Sequence, residues 1–204
     1  MSIEFLITAL IVVLAPGTGV VYTLATGLAQ GRMASVAAAF GCTLGIIPAI
    51  LASVFGLAAL FHTSALLFQT VKFAGVAYLL YLAWQTLQDR GTLRVSGEGT
   101  PRRSLFAVVR NGFLINILNP KLSVFFLAFL PQFVSPAAAL PILEMLAMSA
   151  VFMAMTFAVF VLYGQFSGLM RDRVLSSERA MAWMRRSVAL AFAGFGVKLA
   201  LSRQ

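Results

Sequence analysis

The chain has 204 residues, of which 61% are hydrophobic and only 10% charged, with a mean hydropathy of +0.96. A soluble domain carries about 25% charged residues, so this chain cannot cover a water-facing surface and reads as an all-α integral membrane protein. Its net charge of +9 is not interleaved with aromatics on a soluble face, which argues against nucleic-acid binding.

At roughly 20 residues per span, six apolar segments fit the length, and no room is left for a separate soluble domain. The first runs from Phe5 to Leu28. It has no basic n-region, carries Glu4, and continues past a proline without a small-residue cleavage site, so it reads as an uncleaved span rather than a signal peptide. Ala15-Pro16-Gly17-Thr18-Gly19 interrupts it. Proline removes a helical hydrogen bond and clashes with the preceding turn. In hydrocarbon such a break survives only where it is buried in protein or lines a cavity. Pro16 suits the first position of a new half-helix. Gly17 and Gly19 allow a bend and a close ligand approach, and Thr18 adds a hydroxyl. The amides opened there carry partial positive charge and suit a carboxylate.

The second segment is Ala34 to Phe61 and the third Ala65 to Leu87. Lys72 lies near the start of the third, where snorkelling to headgroups and a place in a transport path are both open. Cys42 is the only cysteine, which rules out an intrachain disulfide and Cys-x-x-Cys chemistry. Glycines 27, 31, 41, 45, 56 and 75 are expected to let helices approach closely. Tyr22, Tyr78 and Tyr163 are hydroxyl ligands or interfacial anchors, Tyr81 is an anchor, and His62 is a solvated loop residue.

Residues 89–104 form the one linker, rich in Gly, Arg, Ser and Thr. The fourth segment, Leu105 to Val134, carries the second break, Asn119-Pro120-Lys121, with Asn116 one turn earlier. A lysine at mid-membrane depth costs about 2.5–3.5 kcal/mol on insertion scales, so its default reading is functional. Lys121 can neutralise a substrate carboxylate, the alternative being a side chain that only snorkels to the headgroups, which the central position of Pro120 disfavours. Asn116 and Asn119 can bond a substrate ammonium or hydroxyl, or satisfy freed carbonyls, and Asn119 can instead cap the half-helix that Pro120 opens. The fifth segment, Pro141 to Leu169, contains Glu144, which reads as serving the helix start rather than a proton relay. The sixth, Ser187 to Leu201, is the shortest, with Ala180 to Met184 as a possible extension.

Arginines cluster after the first, third and fifth segments (Arg32; Arg90 to Arg110; Arg171 to Arg186), while the second and fourth connections have none. The positive-inside rule places the basic connections in the cytoplasm and both termini on the far side. The linker divides the chain into repeat 1, about residues 1–88, and repeat 2, about 105–204. Three spans per half make the second repeat inverted, the plan of many secondary transporters, whose sites lie at paired broken helices. An offset of 104 residues aligns Ile11 with Ile115, Leu14 with Leu118 and Pro16 with Pro120.

The run Gly112-Phe113-Leu114-Ile115-Asn116-Ile117-Leu118-Asn119-Pro120-Lys121, ending in Phe129-Leu130-Pro131-Gln132-Phe133, resembles the fourth-span signature of the LysE/RhtB family of amino-acid exporters. Pro16-Gly17-Thr18-Gly19 and Lys72-Phe73-Ala74-Gly75-Val76-Ala77-Tyr78-Leu79 are similar to its first- and third-span motifs, and the Pro-Gly-Thr-Gly form looks closest to the RhtB branch. The resemblance covers nearly the whole chain as one transporter domain, 1–204. It implies efflux of homoserine, threonine or related neutral amino acids across the inner membrane, driven by the proton motive force, with no ATP site. Two positions depart from the family pattern. Many relatives have a histidine where Ala49 falls, and some an aspartate where Thr156 falls, so the chain lacks an obvious intramembrane proton carrier.

The expected substrate site is therefore Pro16, Gly17, Thr18, Gly19, Asn116, Asn119, Pro120 and Lys121, with Tyr22, Lys72, Thr156 and Tyr163 as a second tier. A cation exporter would need Cys, His or carboxylate ligands within the spans, and an enzyme would need a catalytic pair; neither is found. No cofactor or metal is expected, a homodimer is open, and basic amino acids or a cation are the alternative cargo.

Overall fold

The computed structural model describes residues 2–15, 17–60, 73, 76–77, 80–81, 83–88, 103–119, 122–123, 125–134, 139–169 and 177–201. Pro16, His62, Lys72, Gly75, Tyr78, Pro120, Lys121 and most of the 89–104 linker lie outside them. The described residues are helical and contain no strand.

Helix α1, Ile3–Leu14, starts where the Ser2 hydroxyl accepts the Phe5 N–H at 3.2 Å, an N-cap that satisfies one of the amides a helix start leaves over. It ends at the first break. Helix α2, Thr18–Gln30, departs from it at 52°. Gly31 closes α2 and opens α3, Arg32–Leu44, in a single-residue turn. Its φ of +88° is one that side chains rarely adopt, and nothing lies within 4 Å of where a Cβ would stand. Gly31 is thus a conformational glycine rather than the packing glycine expected. Gly56 is not one either, since its nearest neighbour would be Leu127 Cδ2 at an ordinary 3.9 Å.

Helix α4, Ile47–Leu60, continues the second apolar segment after a turn at Gly45–Ile46. Pro48 has no N–H to give the preceding turn, and the Ile46 N–H bonds the Thr43 carbonyl at 3.1 Å instead of the Cys42 carbonyl. This interruption was not anticipated as a third break. Residues 83–88 and the other described residues of the third segment are helical.

Helix α5, Leu105–Ile117, is capped by the Ser104 hydroxyl and ends at Leu118–Asn119. Beyond it, Phe125–Phe129 forms a π-helical turn and Leu130–Phe133 a 3-10 turn. Helix α6, Pro141–Gln165, opens with proline and has Glu144 in its first turn, both suited to a helix start. The short α7, Ser167–Leu169, follows. Helix α8, Glu178–Leu201, is one continuous 24-residue helix capped at Ser177, so the sixth segment includes the Ala180 to Met184 extension and is not short.

Among the described residues, two helical stretches, Arg32–Gly56 (α3 continuing through its turn into α4) and Pro141–Gln165, are long and apolar enough to cross a membrane, or three if the bent pair α1 and α2 counts as one. Among the described residues six spans are therefore not resolved as such. Large apolar side chains point outward, including Phe55, Phe106, Trp183 and Leu190, an exterior suited to hydrocarbon rather than water.

Helix α3 is the hub, packed on α2, α5 and α6. A Cβ on Gly41 would overlap the Val109 backbone, one on Gly45 would come 2.6 Å from the Phe113 carbonyl, and one on Gly112 would come 2.9 Å from the Ala38 carbonyl. Backbone-to-backbone approach of this kind is how small residues join membrane helices. Two apolar clusters flank the hub. One centres on Phe125, Phe126 and Phe152, with Phe125 and Phe152 stacked at 4.7 Å. The other gathers Val20, Leu24, Ala39, Cys42 and Phe160.

Candidate functional site

The break between α1 and α2 lies beside the end of α5. Asn119 Nδ2 is 3.5 Å from Thr18 Oγ1, at the long limit of a hydrogen bond, linking the two interruptions across the chain. Between the two apolar clusters, Gly17, Gly19, Asn116, Asn119 and Thr156 border a cavity of about 30 Å³. Val12, Val13, Phe152 and Phe160 form its apolar walls. The volume is close to that of one water molecule, so an amino acid enters only if these walls part.

Each polar lining group has a definable capacity. Gly17 is the N-cap of α2 and no side chain caps that end. The first amides of a helix have no intrahelical acceptor, so α2 presents N–H donors at the break. Gly19 is buried, and a Cβ there would come 2.9 Å from both Asn116 Oδ1 and a Phe160 ring carbon. Only glycine leaves that space open.

Asn116 is 3% exposed. Its Nδ2 donates to the Cys42 carbonyl at 2.7 Å, the carbonyl passed over by Ile46 at the α3–α4 turn. That bond requires the NH₂ end to face α3 and leaves Oδ1 toward Gly19. Among the described residues, Oδ1 is buried without a hydrogen-bond partner. An unpaired buried acceptor costs about 1–3 kcal/mol, so this oxygen is a standing demand for a donor. Thr156, also buried, donates to the Phe152 carbonyl at 2.9 Å and keeps only acceptor capacity toward the cavity. Two acceptors and a set of helix-start amides thus meet in one small space. No Asp or Glu is among the residues lining it.

The second-tier tyrosines have other duties. Tyr163, on α6, donates to the Leu14 carbonyl at 3.0 Å and so satisfies a group that the first break releases from α1. Tyr22, on α2, donates to the Val108 carbonyl at 2.9 Å and ties α2 to α5. Asn119 accepts the Leu122 and Ser123 N–H groups at its carbonyl, opening the next helical turn through its backbone. Ala49 is buried in the larger apolar cluster and does not line the cavity. The cavity walls Val12, Val13, Phe152 and Phe160 were not anticipated. Nothing distinguishes them in an apolar sequence until the fold places them.

The profile of the LysE type translocator family matches residues 10–203. The chain belongs to this family. An uncharacterized membrane protein of Vibrio cholerae is 32% identical over 203 residues, covering 98% of this chain and 97% of the relative. A leucine efflux protein of Klebsiella pneumoniae is 27% identical, covering 97% and 93%. A homoserine/homoserine lactone efflux protein of Salmonella typhimurium is 35% identical over 135 residues, covering 65% and 64%. No solved structure matches. The LysE-family transporter is therefore a membrane protein and not an enzyme.

Proposed function

We propose that this LysE-family protein exports small neutral amino acids, of the leucine or homoserine type, from the cytoplasm across the inner membrane, driven by the proton motive force. The observation that carries the reading is the buried Asn116 Oδ1, which has no hydrogen-bond partner among the described residues and lies beside the amide end of α2. A zwitterion brings a carboxylate and an ammonium, and both lose water in a membrane cavity, so the site must supply complements for each. The α2 amides and Lys121 take the carboxylate. Asn116 Oδ1 and Thr156 Oγ1 take the ammonium. A cationic substrate would bring a further charge, and no carboxylate is among the described residues that line the cavity.

The architecture that fits this role is six spans in two inverted repeats, with the basic connections cytoplasmic and both termini outside. In that plan the two interrupted helices sit together, in keeping with the Thr18–Asn119 approach. Alternating access then requires α2 and α5 to separate from the Phe152 and Phe160 walls on one side at a time. The test is export of labelled leucine and homoserine from proteoliposomes containing the full chain, with and without an imposed proton gradient. Gradient-stimulated movement of either supports the reading. Movement of lysine or a divalent cation with neither of the neutral amino acids transported would overturn it.

A further inference from the structure

A second, larger cavity of about 440 Å³ lies along the same helix pair. Its polar lining is Tyr22, Thr26, Gln30, Arg103 and Asn111. The volume falls in the range of small-molecule sites and holds an amino acid without rearrangement. On α2, Tyr22 is two residues from Val20 of the inner cavity, and on α5 Ile115 of the outer cavity adjoins Asn116 of the inner one. The two spaces are thus consecutive along α2 and α5.

The charge in the outer cavity is one-sided. Among the described lining residues Arg103 is the only ionised one, and none of the others is Asp or Glu. Gln30 Oε1 accepts the Arg103 backbone N–H at 2.8 Å, which pins the start of the α5 region against the end of α2. A guanidinium offers two parallel N–H donors to a carboxylate. The carbonyl end of α2, at Ala29 and Gln30, borders the same space and favours an ammonium. The Asn111 side chain supplies a further acceptor.

We infer that this cavity is an entry site on the cytoplasmic side, where Arg103 captures the carboxylate of a zwitterionic amino acid before it passes to the break. The inference rests on the export reading above. Tyr22, which lines this cavity, donates its hydroxyl to the Val108 carbonyl and so ties α2 to α5 alongside it.

The test measures efflux of labelled leucine and homoserine from proteoliposomes of the full chain, with KM determined separately for each membrane face. Arg103→Gln should raise the KM on the cytoplasmic face about three- to tenfold, with KM on the opposite face unchanged and the saturating rate kept. Arg103→Lys should recover most of the loss. Asn111→Leu, which removes an acceptor available to the ammonium, should raise the same KM. Wild-type transport with KM unchanged in both Arg103→Gln and Asn111→Leu would overturn the entry site alone. An Arg103 effect seen in phosphatidylglycerol vesicles but absent in pure phosphatidylcholine would overturn it in favour of a lipid headgroup phosphate. If the wild type moves no amino acid, the export reading falls and the entry site with it.

Discussion

The Asn116 amide is committed at one end, where Nδ2 holds the Cys42 carbonyl, and uncommitted at the other, where Oδ1 meets the space over Gly19. The two ends predict different losses. Asn116→Ala should weaken substrate binding by about 1–3 kcal/mol and also lower stability, because the Cys42 carbonyl loses its donor. Gly19→Ala should leave the amide bond intact and still impair transport, because its methyl group occupies the space that Oδ1 faces. Binding by isothermal calorimetry and melting in detergent separate the two variants. Lys121→Met should abolish export while membrane insertion persists, measured as transport per inserted protein; wild-type rate and affinity in that variant would make the breaks hinges rather than ligands. The sequence pointed to Asn116 through its nearness to Pro120. It could not show which end of the amide is spent, because that depends on a carbonyl freed 74 positions away.

At the scale of helices, the two glycine roles separate cleanly. Gly41→Ala forces a methyl group into the Val109 backbone, which cannot swing aside as a side chain would, and should cost about 1–3 kcal/mol. Gly31→Ala meets no neighbour but must hold φ +88° with ψ −176°, a region essentially reserved for glycine, at a penalty of about 1–3 kcal/mol. Replacing Gly31 by Asn should lose as much as Ala, because asparagine's tolerance of positive φ is confined to the left-handed helical region with ψ of about +47°. Thermal unfolding of the three purified variants checks the pattern. The ends of α1 at Leu14 and of α5 at Ile117 were legible because proline and glycine in the sequence that follows act on their own backbone. The π-turn at Phe125–Phe129 was not, since its residues carry no local marker and only the buried Ser53 hydroxyl, donating to the Phe126 carbonyl, betrays a bond that the regular ladder does not take. Pro48 was visible, but its effect falls on carbonyls upstream in α3.

For the whole molecule, the all-helical membrane character was readable from hydropathy, because a bilayer demands long apolar runs whatever the fold, while two or three of the six expected spans stand out among the described residues. The larger cavity was less so. Tyr22, Thr26 and Gln30 stand four residues apart on one helix face, a polar stripe in an otherwise apolar segment, yet in the sequence Arg103 is one arginine of a basic connection, because its approach to that stripe is tertiary. The sole cysteine adds a practical consequence. Cys42 has no exposed surface, and its sulfur lies 3.9 Å from the Gly19 carbonyl and 3.3 Å from where a Gly112 Cβ would stand. It sits where α2, α3 and α5 converge, directly behind the candidate site. The unaltered protein therefore carries its own chemical clock: alkylation of Cys42 by a small maleimide, followed as a mass increment, should be slow at rest and accelerate when a leucine gradient drives turnover. Equal rates in both conditions would mean that these three helices travel together as one block, and that opening happens on the α6 side instead.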